Sequence, residues 1–377
     1  MTELLKDVLK TRAEDAAAPH VDLDAIIGDG NRRIRRRRVG GWLAATAAIA
    51  TIALAAPTVV TSVTGSEDGG STNLEVAQGG GFSTREPTYS LGSTIHYGAE
   101  VLDVSPHNVS AFVQTDQGFV FVTSAGGIFF ADGTSTEQIG TTELPYGRLL
   151  AADDSGGYVA WVDTTATPVP EFVVYDTATR EEAVRTAEGS VAITDRTGEF
   201  DLPTVLAVDG QTGYWHNSEG VVAWDIAAGS GSVIEPGANS QLLKDVAAGQ
   251  LARASSDDRN VVVSADPQAE APTFAGGHAM LSPDARYVYT DDTDVARVFD
   301  VATGRDVTPN HQGYPFIAVT QWVDDTTFVA LGLSGRAETS PLDLLECSVV
   351  AQGCRVVAPG VGTVGNVQFP IGETVRK

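Results

Sequence analysis

The chain has 377 residues and sets 49 Asp and Glu against 24 Lys and Arg, a formal charge of −25. That sign argues against nucleic acid as a partner, since phosphates would be repelled. An apolar content of 42% argues against wholesale disorder, and only two Cys exclude both a disulfide-dense scaffold and a four-thiolate zinc site.

Residues 1–41 carry nine basic and seven acidic side chains. Leu4, Leu5, Val8 and Leu9 recur at helical spacing, and after a break near Pro19 a second short pattern runs through Val21, Leu23, Ile26 and Ile27. This reads as a partly helical tail, either lying on lipid or docking a cytoplasmic partner. Six basic residues close the tail: Arg32, Arg33, Arg35, Arg36, Arg37 and Arg38.

After Arg38 the next charge is Glu67, so 28 consecutive positions are uncharged. Within them, residues 42–63 would span about 33 Å as a helix, enough for a bilayer core of about 30 Å. The Arg cluster on the N-terminal side predicts a single-pass cell-membrane protein with its N-terminus in the cytoplasm and everything after residue 63 exported. Ala53-Leu54-Ala55 resembles a signal-peptidase site, but nearly forty residues precede the apolar run, which favours an uncleaved anchor. Residues 64–88, rich in Gly, Ser and Thr, read as a flexible stalk.

From residue 89 to 377 the sequence repeats. A polar turn with Asp precedes an apolar strand at Asp116, Asp154, Asp209, Asp284 and Asp325. A second Asp-bearing turn follows at Asp132, Asp176, Asp225 and Asp300, at offsets of 16, 22, 16 and 16; for Asp325 an offset of 22 lands on Cys347. A further unit fits residues 242–275. Strands separated by Gly, Asp, Ser and Thr corners are antiparallel meander chemistry. Six units are visible, and the 277 residues from 95 to 371 divide by seven to near 40, the length of a propeller blade. The Val367-Gln-Phe-Pro strand is expected to pair near Ser93–His96 and Val101–Val104, closing a composite seventh blade. The expected fold is therefore all-β, a β-propeller of seven four-stranded blades with six as the alternative. A tandem of immunoglobulin-type sandwiches is the rival, and a spacing of 40 rather than 100 counts against it.

Leu281-Ser-Pro-Asp-Ala-Arg-Tyr-Val-Tyr, followed by Val298-Phe-Asp-Val-Ala-Thr-Gly-Arg, resembles the repeat of WD40-type and TolB-like β-propellers. Ala285 stands where that repeat has Gly. The resemblance covers about three-quarters of the chain and implies a fold but no activity, because propellers host enzymes, receptors and scaffolds alike. The short tail beneath a membrane anchor resembles that of bacterial anti-sigma factors, although its lack of Cys and single His20 exclude the zinc-binding version.

Cys347 and Cys354 are expected to face each other across a hairpin as a structural disulfide; a metal pair or redox couple would need a third ligand that is not nearby. Asp153-Asp154, Asp257-Asp258, Asp291-Asp292 and Asp324-Asp325 offer paired carboxylates, but turn chemistry explains their placement. His20, His96, His107, His216, His278 and His311 form no HxxxH or HxH pair, Gly-x-Ser-x-Gly is absent, and no Gly-rich phosphate loop opens a helix. No catalytic residue, metal site or cofactor is therefore expected. Trp161, Trp215, Trp224 and Trp322 read as packing. Thr164–Pro170, Thr194–Leu202 and Gly335–Leu342 lengthen particular blades, and such loops are where binding surfaces lie. The expected role is a non-catalytic extracytoplasmic binding or sensory module for a protein or envelope ligand. A propeller enzyme, and an envelope scaffold or anti-sigma-like regulator, are the alternatives.

Overall fold

A computed structural model describes residues 81–375, apart from 144–146, 154–155, 166–168, 192–201, 238–242, 256–258, 268, 270, 293–294, 312 and 336–339. The tail, the Arg32–Arg38 cluster, the apolar run of 42–63 and Asp154 lie outside the described residues. Among the described residues no helix is long and apolar enough to cross a membrane.

Short runs of β-branched and aromatic residues, each stopped by a Gly- or Asp-bearing corner, give seven separate antiparallel sheets. β1 (Thr88–Leu91), β2 (Thr94–Tyr97) and β3 (Glu100–Asp103) belong to blade 1. Blade 2 holds β4 (Val109–Thr115), β5 (Gly118–Thr123), β6 (Gly127–Ala131) and β7 (Thr136–Thr141). Blade 3 holds β8 (Ala151–Ala152), β9 (Tyr158–Asp163), β10 (Glu171–Asp176) and β11 (Glu181–Thr186). Blade 4 is β12 (Thr204–Asp209), β13 (Thr212–Asn217), β14 (Gly220–Asp225) and β15 (Ser230–Pro236). Blade 5, from the least regular repeat, is β16 (Leu243–Ala247), β17 (Gln250–Ala254), β18 (Asn260–Ser264) and β19 (Thr273–Ala275).

Blade 6 has three full strands, β20 (His278–Leu281), β21 (Tyr287–Asp292) and β22 (Val295–Asp300). Its fourth is reduced to a bridge between Phe299 and Asp306 and a bond from Val307 N–H to Val298 O. Blade 7 is β23 (Phe316–Trp322), β24 (Thr327–Leu333), β25 (Leu342–Ser348) and β26 (Gly353–Gly362). β27 (Val367–Gln368) returns to blade 1 as its innermost strand. The ring is thus a seven-bladed β-propeller closed by a composite blade. One detail corrects the expectation from sequence. β27 pairs directly with β1, through Ser90–Gln368 and Leu91–Val367, and the residues near His96 and Val101 are the next strands outward.

The core sits between blades. Each of seven apolar clusters spans two neighbours, for example Phe130 and Trp161 between blades 2 and 3, or Val298 and Phe328 between blades 6 and 7. The last cluster joins Leu342 and Leu344 of blade 7 to Val367 and Phe369, so burial closes the ring as surely as strand pairing. A fully buried side chain of this size contributes roughly 1.5–3 kcal/mol. Trp161 and Trp215 are fully covered, Trp224 and Trp322 nearly so, and all four lie on strands within this packing.

In each meander the first-to-second and third-to-fourth turns share one face, here termed the turn face. The second-to-third turns and the connections between blades share the other, the loop face. The repeat's second Asp caps the third-to-fourth turn: Asp132 Oδ1 accepts from Thr134 N–H (2.8 Å), Asp176 from Ala178 (2.8 Å), Asp225 from Ala228 (2.8 Å) and Asp300 from Thr303 (2.9 Å). In blade 7 the offset that reaches Cys347 is one short of this role. Ser348 Oγ accepts from Ala351 N–H at 3.1 Å, while Cys347 is wholly buried. Cys347 is disulfide-bonded to Cys354, its direct partner in the β25–β26 register, with Cα atoms 4.0 Å apart.

Candidate functional site

The repeat's first Asp residues gather on the turn face around the axis, and the described ones join neighbouring blades. Asp116 N–H donates to Gly156 O (3.1 Å) and Asp209 Oδ2 accepts from Gly249 N–H (2.7 Å); in blade 3, where the repeat position is Asp154, it is the preceding Asp153 whose Oδ1 accepts from Gly210 N–H (3.1 Å). The Asp284 N–H donates to the Asp325 carboxylate. Burial, with the charges of Asp284 and Asp324 beside it, raises the Asp325 pKa above the ordinary carboxylate value. Turn chemistry explains why Asp recurs; the structure adds that these turns link neighbouring blades, through the carboxylates of Asp209 and Asp325 and through the backbone N–H of Asp116 and Asp284.

Both chain ends enter this architecture near the axis. Residues 82–87, which composition assigned to the stalk, form a strap on the turn face. Phe82 is buried against Phe119 and Tyr97, and the strap carbonyls of Phe82 and Thr84 accept from Gln114 Nε2 at 2.9 and 3.0 Å. The C-terminal residues after β27 run inside the ring. Gly372 N–H donates to Phe112 O (3.0 Å), and Gly372 O accepts from Leu149 and Leu150 N–H (2.8 and 3.1 Å). Gln368 clamps Val375 by two further bonds.

Above this tail, at the turn-face end of the axis, remains a cavity of about 120 Å³. Blades 2 to 7 wall it, and Arg85 of the strap with Pro370 and Ile371 of the C-terminal tail completes the lining. Its polar groups come from the inner strands, Gln114 on β4, Asp245 on β16, and Thr320 and Gln321 on β23, with Arg148 and Asp153 flanking β8. Arg148 Nε lies 3.4 Å from Glu373 Oε1, its Nη1 donates to Leu206 O, and Arg85 Nη2 lies 3.8 Å from Asp116 Oδ1. Asp245 Oδ2 accepts from Leu281 N–H at 2.7 Å, bridging blades 5 and 6. Asp245 keeps some accessible surface although protein surrounds it, because that surface faces the cavity. Burial pushes its pKa up to about 6, and the attraction of Arg148 only partly offsets this.

The two amides settle each other's orientation. Gln114 donates both its described Nε2 bonds to strap carbonyls, so its Oε1 must accept, and it does so from Gln321 Nε2 at 2.9 Å. That leaves Gln321 Oε1 buried without a partner among the described residues. An unpaired buried acceptor costs about 1–3 kcal/mol.

No His lines this cavity. His96 stacks on Tyr89, His107 packs on Phe129, His216 is buried and His311 Nδ1 pairs with Tyr314 O. Among the described residues no group of three or more His, Cys, Asp or Glu could hold a metal ion. A larger, more open recess of about 690 Å³ lies between blades 6 and 7, lined by Pro309, His311 and Tyr314, and gathers no reactive set. The three lengthened loops all belong to the loop face. Thr164–Pro170 and Gly335–Leu342 join second to third strands, and Thr194–Leu202 joins blades 3 and 4; residues 166–168, 194–201 and 336–339 of them lie outside the described residues. Sequence reasoning missed the cavity residues. The available signal was a polar side chain interrupting an apolar inner strand, as in VSAFVQT and FIAVTQW.

No family model matches the chain, and no curated protein matches it. Solved structures do. The "Mitotic Checkpoint Complex" matches at 14% identity over 73% of this chain and 84% of that one, with a TM-score of 0.46. TolB from Acinetobacter baumannii matches at 13% over 75% and 66%, with a TM-score of 0.41. The computationally designed Ika8 protein matches at 14% over 74% and 88%, with a TM-score of 0.45. These are similarities of fold; the strand pairing and the seven inter-blade clusters establish the propeller by themselves.

Proposed function

We propose that this chain is a non-catalytic binding module, a propeller held outside the cytoplasmic membrane by the helix of residues 42–63 and recognising a protein or envelope ligand. The size of the axial cavity carries the reading. Small-molecule sites usually offer about 300–1,000 Å³, whereas the C-terminal tail leaves about 120 Å³ here. The propeller faces, with the open recess of about 690 Å³ between blades 6 and 7, are therefore the surface this reading assigns to recognition, rather than the axial cavity. The enzyme alternative draws on Asp245, a buried carboxylate of raised pKa beside Arg148. A hydrolytic mechanism would also need a nucleophile or a second acid-base group positioned against Asp245, and among the described residues no hydrogen bond joins such a group to it. The cytoplasmic tail, with its amphipathic pattern, would serve as a second docking element.

The test is site-directed photo-crosslinking in native membranes from Gln117 on the turn face and Glu219 on the loop face, both exposed. A discrete adduct from either position supports a binding module. Absence of adducts from both, with the protein correctly inserted, would remove the reading.

A further inference from the structure

We propose that the recess between blades 6 and 7 docks a proline-rich segment of a protein partner in the polyproline II conformation. The proposal deepens, and rests on, the binding-module reading.

The recess originates in a blade that stops short. Asp300 N–H donates to Arg305 O (2.9 Å), Phe299 bridges Asp306, and Val307 N–H donates to Val298 O (2.8 Å), so a fourth strand begins against β22. Carried on, that register sets Pro309 opposite Ala296. Proline has no N–H to give to a ladder, and the pairing ends there. The chain crosses instead to blade 7, where Asn310 N–H donates to Gln352 O (3.2 Å) and Asn310 O accepts from Cys354 N–H (3.2 Å). It then turns at Tyr314, whose N–H donates to His311 O (3.1 Å) and whose carbonyl accepts from His311 Nδ1 (2.9 Å). The recess of about 690 Å³ lies along this detour.

The chemistry of the lining selects the occupant. Its backbone offers no continuous edge for an added strand: Pro309 and Pro315 lack N–H groups, and the N–H and C=O of Asn310 and of Tyr314 are already bonded. A polyproline II segment asks for no such edge, because its own backbone stays solvated and its rings dock on aromatic surface. The half-buried rings of Tyr314 and His311 and the exposed ring of Pro315 supply that surface. The described residues lining the recess carry no carboxylate, guanidinium or ammonium, in a chain of formal charge −25. An uncharged occupant matches that lining, whereas a lysine- or arginine-led segment finds its carboxylates elsewhere on the head. The walls are also held in place. Gln352 Nε2 donates to Val307 O (3.1 Å), the Tyr314 hydroxyl donates to Asp343 Oδ2 (2.8 Å), and the Cys347–Cys354 disulfide fastens the turn that carries Gln352. A fixed site and a ligand already in its bound conformation both lower the ordering cost, which suits an open recess. Val350, in the same turn and 72% exposed, adds an apolar margin.

The experiment is isothermal titration calorimetry of the full-length protein in detergent, with end-capped hexaproline as the probe. Capped hexapeptides of alternating Gly-Ser and of alternating Thr-Val, neither of which holds a polyproline helix, are the controls. Saturable binding of hexaproline alone is expected, changed less than about twofold by added salt because no charges are paired. Affinity should fall about tenfold in Tyr314→Ala and in Pro315→Asp and be kept in Tyr314→Phe, which retains the ring. Circular dichroism confirms that each variant is folded; if Tyr314→Ala is not, Pro315→Asp at its exposed position carries the test. The proposal is overturned if hexaproline does not bind, if either control matches it, if salt abolishes binding, or if the folded variants bind as the parent does. A match by the Thr-Val peptide would assign the recess to strand addition instead. Failure here alongside discrete crosslinks removes the recess site and leaves the binding module standing, whereas hexaproline binding without any crosslink does the reverse.

Discussion

Gln321 Nε2 donates to Gln114 Oε1 at 2.9 Å, joining residues 207 positions apart in sequence and linking blade 7 to blade 2 across the composite blade. Gln114 in turn holds the strap through the carbonyls of Phe82 and Thr84. The seam of the ring is therefore fastened at a buried polar node as well as by the two residue pairs of β1 and β27.

Gln114→Leu breaks three bonds and strands two strap carbonyls, so a loss of about 3 kcal/mol is expected. Gln321→Leu strands one acceptor and removes another that was already unpaired, so its loss should be about 1 kcal/mol. Urea unfolding of both variants gives the comparison; equal losses would contradict the node as described.

Gly372 has φ +69°, and a Cβ there would sit 1.9 Å from Leu150 O. Gly304, at φ +67°, has nothing within 4 Å. Alanine at Gly304 should cost about 1 kcal/mol from the backbone alone. At Gly372 the tail must leave the channel wall, and a loss above about 3 kcal/mol is expected. Thermal melts of the two variants decide the matter.

Asp245 gives a pH dependence of definite sign. Burial raises its folded-state pKa from 3.8 to about 6, against the pull of Arg148. Its contribution to stability is therefore fully present below pH of about 4 and lost as pH rises through about 6, an effect on the order of 3 kcal/mol. Asp132 works in the other direction. Although burial opposes it, bonds from Thr134, Arg180 and Ser135 hold its pKa below the ordinary value, so its contribution is lost on acidification. The measurement is the difference between the parent and Asp245→Asn across pH 4 to 7. A constant difference would show that Asp245 is not the titrating group.

The disulfide closes a loop with a sequence separation of seven, so its effect is local. Replacing both Cys347 and Cys354 by Ala should lower stability by about 2 kcal/mol. Cys347 is fully buried while its partner is half-buried, so reduction with a mild thiol should be slow in the folded protein. Rapid reduction under native conditions would contradict that burial.

The repeat was legible because turns impose residue types locally: Asp284 and Asp300 cap their own corners within three residues, and such chemistry leaves a mark on sequence. Blade 5 was legible from its apolar runs even with irregular corners. β1 was not, since its four residues lie between Pro87 and Gly92 at the end of a Gly- and Ser-rich stretch that masks a strand. The axial cavity was illegible for a different reason. Gln114, Asp245 and Gln321 come from three blades, and nothing near any one of them in sequence reports the other two. A lone Asp in Leu-Lys-Asp-Val-Ala reads as an imperfect strand until the ring is closed around it.

The strap also determines how the ring meets mechanical load. A pull on Gly81 reaches the Phe82 and Thr84 carbonyls before it reaches β1, and Gln114 and Gln321 distribute it to the blades on either side of the seam. The two-residue pairing of β27 is thus spared the first share of any tension applied at Gly81, which falls instead on side-chain bonds that straddle the closure.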